Sequence, residues 1–182
     1  MTSPRPVWPH RLAVATAVST GLLILVGGLV THTGSGLAVP DWPTTFGHNM
    51  FLFPLSGMVG GVLYEHSHRL LGSLVGLLTV LTAAAVCLAD RRPWLRTLAI
   101  LAVGLVVAQG ILGGLRVTLL AHALAMVHGA VAPAFLALLT SLAVVTGREW
   151  SAAAPVPGGE ARGLRWLCLA TTLAIYLQIG FG

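Results

Sequence analysis

Of the 182 residues, 56% are hydrophobic and only 8% charged, and the mean hydropathy is +0.90, which excludes an ordinary soluble globular domain. The formal charge of +5 rests on ten arginines and no lysine, and these cluster between apolar runs rather than along one face. Nucleic acid is thereby removed as the expected partner, and membrane lipid takes its place.

Taken in order, residues 12–30, about 62–89, 94–114 and 121–146 each supply the roughly 20 mostly apolar residues that cross a hydrocarbon core. A fifth run occupies 164–182. The runs are continuous rather than alternating, so they predict helices and not a barrel. Arg5 and Arg11 precede the first span, Arg91, Arg92 and Arg96 lie between the second and third, and Arg148, Arg162 and Arg165 follow the fourth. Only Arg69 and Arg116 fall on the opposite side, so the N-terminus is expected in the cytoplasm and residues 31–61 and 115–120 outside. The first span is long for a signal peptide and lacks a convincing cleavage site.

The outer segment 31–61 contains Gly34, Gly36, Pro40 and Pro43, which break regular structure, and Trp42, Phe46, Phe51 and Phe53, which suit a membrane interface. A loop of this length is expected to fold onto the bundle and to carry function. Residues 147–163, with Pro155, Pro157, Gly158 and Gly159, read as a cytoplasmic linker. The segment "AIYLQIGFG" at 174–182 echoes "GLLILVGGLV" at 21–30 and "VVAQGILGG" at 106–114, with Gln178 matching Gln109. The expected fold is therefore an all-α integral membrane protein. It has a four-helix transmembrane bundle over 1–146, the first half of a duplicated eight-helix protein, and the start of a truncated second half at 164–182. Cys87 and Cys168 lie inside spans and are expected to be small buried apolar residues, not a disulfide.

The chemistry gathers in "YEHSHRLLGS", residues 64–73, at the outer end of the second span. His68, counted from Val62, and His128, counted from Ala121, both lie about 9–10 Å below the outer edge at about 1.5 Å per residue. The second and fourth spans run in the same direction, so packing them side by side would bring the imidazoles level. Two such histidines suit bis-imidazole ligation of a heme iron between helices. Glu65 and His68 share a face, which continues as Gly72, Val75 and Thr79 and reads as a groove of small residues for a flat ligand. Arg69 and Arg116 lie at the level of outward-pointing propionates. Glu65 could instead simply neutralise Arg69 at i+4. His66 points about 200° away from His68 and reads as structural or interfacial. His10, His32, His48 and His122 lie in loops or at interfaces. Gly110, Gly113 and Gly114 read as allowing close helix contact.

"GGLVTHTGSGLAVPDWPTTFG" followed by "YEHSHRLLGSLVG" resembles the N-terminal half of the heme A synthases of the CtaA type, which carry a TGSG…PDWP loop and a Glu-x-x-His-Arg motif. "AQGILGGLRV" and "HALAMVHGAVAPAFLALL" are similar to that family's third and fourth spans. The resemblance covers nearly the whole chain. It implies an oxidoreductase of heme biosynthesis that turns a ring methyl of heme O into a formyl group for cytochrome oxidase assembly. It also implies His68 and His128 as iron ligands, Glu65 as the catalytic residue, and heme O as substrate. A b-type heme would be the cofactor, in a second half beyond this chain. The implied partners are heme O synthase, that second half or a second copy of the chain. The implied location is the plasma membrane of a bacterium. Some members carry a cysteine pair in the outer loop, and here that loop has none.

Two readings from other classes stay open on the sequence. A non-catalytic b-type heme protein, carrying electrons or assisting oxidase assembly, predicts heme that never changes. A proton-coupled transporter using Glu65 and the histidines as a relay predicts no heme.

Overall fold

Proline opens two of the long helices, where its missing amide would have had no helical partner. Pro9 stands at the start of α1 (Trp8–His32) and Pro93 at the start of α3 (Pro93–Thr118). Between them α2 (Gly61–Ala89) follows Gly60, whose φ of +52° suits glycine, and ends at Asp90 in an extended turn. Helix α4 (His122–Thr146) follows, then the short α5 (Arg148–Ala152) and α6 (Gly158–Phe181). The computed structural model describes residues 6–154 and 158–181. Five of its helices, α1 to α4 and α6, are long and apolar enough to cross a membrane. The chain divides into two units, Met1–Gly147 and Arg148–Gly182. Helix α6 reaches back to Gly158, so part of the segment expected as linker is helical.

In the first unit α1 packs against α2 and α4, and α3 packs against the same two helices. This cyclic order sets α2 and α4 on a diagonal. The expectation that they pack side by side is thus corrected: their histidines address each other across the bundle. The core is built from small residues, Ala13, Ala83, Ala99 and Ala102, interleaved with Leu95, Leu139, Leu142 and Val86. Lipid is as apolar as leucine, so it is close backbone approach over small residues that holds such helices together. Thr16 and Thr82 add a hydroxyl pair at 2.8 Å between α1 and α2.

The small-residue groove expected along α2 is only partly present. Val75 and Thr79 are fully buried in the bundle, whereas a side chain at Gly72 would meet open space. Gly72 lies toward the end of the bundle that carries residues 33–60. Neither cysteine is bonded: Cys87 is half-buried, but Cys168 is exposed on α6, against the expectation that it is buried.

Candidate functional site

The long loop is folded. Asp41 accepts hydrogen bonds from the amides of Phe46 and Gly47, both at 2.8 Å, and from the Thr44 hydroxyl at 2.5 Å. Its partial burial raises the carboxyl pKa, but the bonds from Gly47, Thr44 and Phe46 outweigh burial and lower it to about 2. Thr45 and His48 exchange backbone hydrogen bonds at 3.0 Å, closing a tight turn. Asn49 then accepts from the Phe51 amide and starts the 3-10 turn Met50–Leu52, which a second such turn, Leu55–Gly57, follows.

Two side chains of α2 hold this loop. Glu65 and Arg69 are one helical turn apart and form an ion pair at 2.8 Å, with side chains only 5% and 10% exposed. The other Glu65 oxygen accepts the Val39 amide at 2.8 Å. Arg69 donates through Nη1 to the carbonyls of Asp41 (2.6 Å) and Thr44 (3.1 Å), and through Nη2 to that of Val39 (2.9 Å) as well as to Glu65. All four terminal guanidinium N–H groups are engaged, leaving Nε–H for any propionate. His66, which is 1% exposed, pairs with the Thr45 hydroxyl at 3.1 Å and meets Phe53 in a tilted ring contact at 5.1 Å. It faces the loop, away from His68, and takes the structural part expected of it.

From α3, Arg116 donates to the Gly36 carbonyl at 2.5 Å. Beside it the Trp42 indole lies against Gly114, where any side chain would collide with the ring. The loop is thus seated on α2 and α3 together.

The two level histidines lie beneath it. His128 Nδ1 meets the Gln109 carbonyl at 3.1 Å, and the Gln109 side-chain amide donates to the His128 carbonyl at 3.1 Å. His68 Nδ1 is buried without a hydrogen-bond partner. His68 and His128 are near enough to sense each other's charge, and Arg116 lies within the same range of both. Among the described residues no cluster of three or more His, Cys, Asp or Glu could hold a bare metal ion. Two imidazoles from diagonal helices are a different donor set, one suited to a macrocycle that supplies the remaining nitrogens itself.

The structure therefore brings Glu65 and Arg69 together at the loop. His68, His128 and Arg116 form a second group just beneath. Gln109 was noted in the sequence only as a repeat match; its place four residues before Gly113 is the signal that could have found it. Of the other histidines, His10 bonds the Ala143 carbonyl at 2.9 Å at the opposite end, and His32, His48 and His122 are exposed.

Residues 10–182 match the COX15-CtaA family, described as cytochrome oxidase assembly protein. The chain is similar to a heme A synthase of Shouchella clausii (strain KSM-K16), with 32% identity over 173 residues, 91% of this chain and 56% of that protein. It is also similar to a heme A synthase of Alkalihalophilus pseudofirmus (strain ATCC BAA-2126 / JCM 17055 / OF4), with 34% identity over 154 residues, 81% of this chain and 50% of the relative. The chain spans about half the length of the curated relatives it matches. No solved structure matches it.

Proposed function

We propose, starting from the fact that this chain belongs to the COX15-CtaA family of cytochrome oxidase assembly proteins, that it is the substrate-binding four-helix unit of a heme A synthase. The observation that carries the reading is the pair His68 and His128, level with each other on diagonal helices beneath a folded loop. The substrate is heme O, entering from lipid. His68 and His128 hold its iron, and the reaction converts one ring methyl to a formyl group by successive hydroxylations.

The carbonyl-bound Nδ1 of His128, which leaves Nε2 as the ligating atom, and the buried, unpartnered Nδ1 of His68 fit such a group. Arg116 has N–H donors beyond its bond to Gly36 and is the propionate partner. Arg69 contributes chiefly by holding the loop, with Nε–H left over for a propionate. Glu65 is the catalytic residue, stabilising charge or moving a proton beside the reacting methyl. Its orientation is set by Arg69 and the Val39 amide.

The relatives' greater length supports a b-type heme cofactor in a second half outside this chain. A second half, a second copy of this chain and heme O synthase are the partners we propose. The eight-to-two distribution of arginines supports an N-terminus in the cytoplasm, and the bacterial relatives support a plasma membrane as the location.

The test is expression in a host that makes heme O, followed by a reduced-minus-oxidised spectrum and identification of the extracted heme, beside His68→Ala and Glu65→Ala. Heme A in the wild type and heme O retained in Glu65→Ala is the expected result. Bound heme that stays unmodified would mark a binding unit that needs its partner, and absence of heme would overturn the reading.

A further inference from the structure

The two histidine rings each lie against a glycine of a neighbouring helix. Helices α1 and α3 carry the related stretches "LLILVGGLV" (22–30) and "AQGILGGLRV" (108–117), in which Gly27 corresponds to Gly113 and Leu23 to Gln109. A Cβ added at Gly27 would stand 2.9 Å from His68 Cε1, and one at Gly113 would stand 3.3 Å from His128 Cε1. His128 Nδ1 is hydrogen-bonded to the carbonyl four residues before its glycine, Gln109, whereas His68 Nδ1 is buried without a hydrogen-bond partner and lies nearer than Nε2 to a Cβ placed at Gly27.

A helical carbonyl points toward residue i+4, from which it already accepts an amide proton, and its second lone pair is reachable only if the side chain at i+4 is out of the way. Glycine provides that access. A carbonyl can only accept, so a neutral imidazole bonded to it through Nδ1 must carry its proton there and leave the Nε2 lone pair bare.

We propose that Gly27 and Gly113 are positioning residues. Gly113 lets His128 seat its Nδ1–H on the Gln109 carbonyl, and Gly27 admits the His68 ring with Nδ1 as its nearer nitrogen, so that both Nε2 lone pairs are presented across the bundle before any ligand arrives. The inference rests on the heme reading for its purpose but not for its test. The neighbouring glycines on the same helices are internal controls, because a Cβ at Gly28 or Gly110 would meet nothing within 4 Å.

The experiment uses the full chain in lipid nanodiscs, with ¹⁵N-labelled histidine, at a pH where the imidazoles are neutral. Long-range ¹⁵N–¹H correlations report which ring nitrogen is protonated, and His68→Ala and His128→Ala assign the signals. His128 is expected to carry its proton on Nδ1 in the wild type, and so is His68. Gly113→Ala is expected to shift only His128 toward the Nε2-protonated form, and Gly27→Ala only His68. Gly28→Ala and Gly110→Ala leave both unchanged. Titration with hemin should show about 10–100-fold weaker binding for the two seat variants and none of that loss for the controls. An Nε2-protonated His128 in the wild type overturns the seat, whatever the variants do. So does a Gly113→Ala chain with unchanged tautomer and unchanged titration. Wild-type protein with both Nδ1 protons in place that binds no hemin would sustain the seats and sink the heme reading.

Discussion

Two carboxylate–arginine pairs, one at each end of the bundle, have opposite reach. At the loop end, Glu65 and Arg69 are 5% and 10% exposed, and between them hold the backbone of residues 39, 41 and 44. At the other end, Asp90 and Arg92 are 12% and 21% exposed and mostly close their own turn: Asp90 accepts from the Arg92 amide and guanidinium and from Arg96. Arg92 reaches a distant element once, at the Val145 carbonyl. The ion-pair distances are nearly the same, 2.8 and 2.7 Å. What differs is the number of otherwise unpaired backbone groups that depend on each pair, and hence what is lost when it breaks.

The widest separation between the two ends should come from Arg69→Leu. It leaves Glu65 as a buried carboxylate without its cation and strips three loop carbonyls of a donor, so a loss of about 3–5 kcal/mol is expected. Limited proteolysis should then cut within residues 39–48, where the wild type resists. A smaller effect, about 1–3 kcal/mol, is expected from Glu65→Gln, which keeps an acceptor for the Val39 amide but removes the charge. Denaturant titration in mild detergent would rank the two, and a Glu65→Gln loss as large as that of Arg69→Leu would show that charge, not loop anchoring, dominates. Arg92→Leu should cost about 1 kcal/mol or less and leave loop proteolysis untouched, because its pair is closer to the aqueous edge. The mildest effect is confined to acid. Asp41 is lowered from 3.8 to about 2 in the folded loop, so its stabilisation is complete above the ordinary carboxyl range and fades as pH falls toward 2. Protease sensitivity of the loop should rise over that window in the wild type and stay flat in Asp41→Asn.

Much of this end of the molecule was legible residue by residue. The second span was read from about 62 and α2 starts at Gly61; the helical period already put Glu65 and Arg69 one turn apart, and they do pair. The helical angle makes His66 structural or interfacial, yet it does not name the partners Thr45 and Phe53, because both lie in a loop whose path no periodicity describes. Arg69 read as a propionate partner for the same reason: its level in the membrane is a property of the helix, but its hydrogen bonds are a property of where residues 39–44 come to rest. Gly113 read as a close-contact glycine without any indication of what made the contact; the answer is the His128 ring.

The sequence by itself determined that the chain is helical and membrane-spanning and the register of each helix, from which a common depth of His68 and His128 is expected. All of these follow from rise per residue, apolar run length and the need to satisfy every backbone group in lipid. Only the tertiary structure decided that α2 and α4 stand on a diagonal, that Glu65 and Arg69 hold the loop, and that each histidine rests on a glycine of the neighbouring helix. The physical reason is that hydrophobicity is satisfied equally by every face turned to lipid. The order of helices around the bundle is set instead by which small residues let backbones approach and which buried polar groups find partners, and those pairings join residues far apart in the chain.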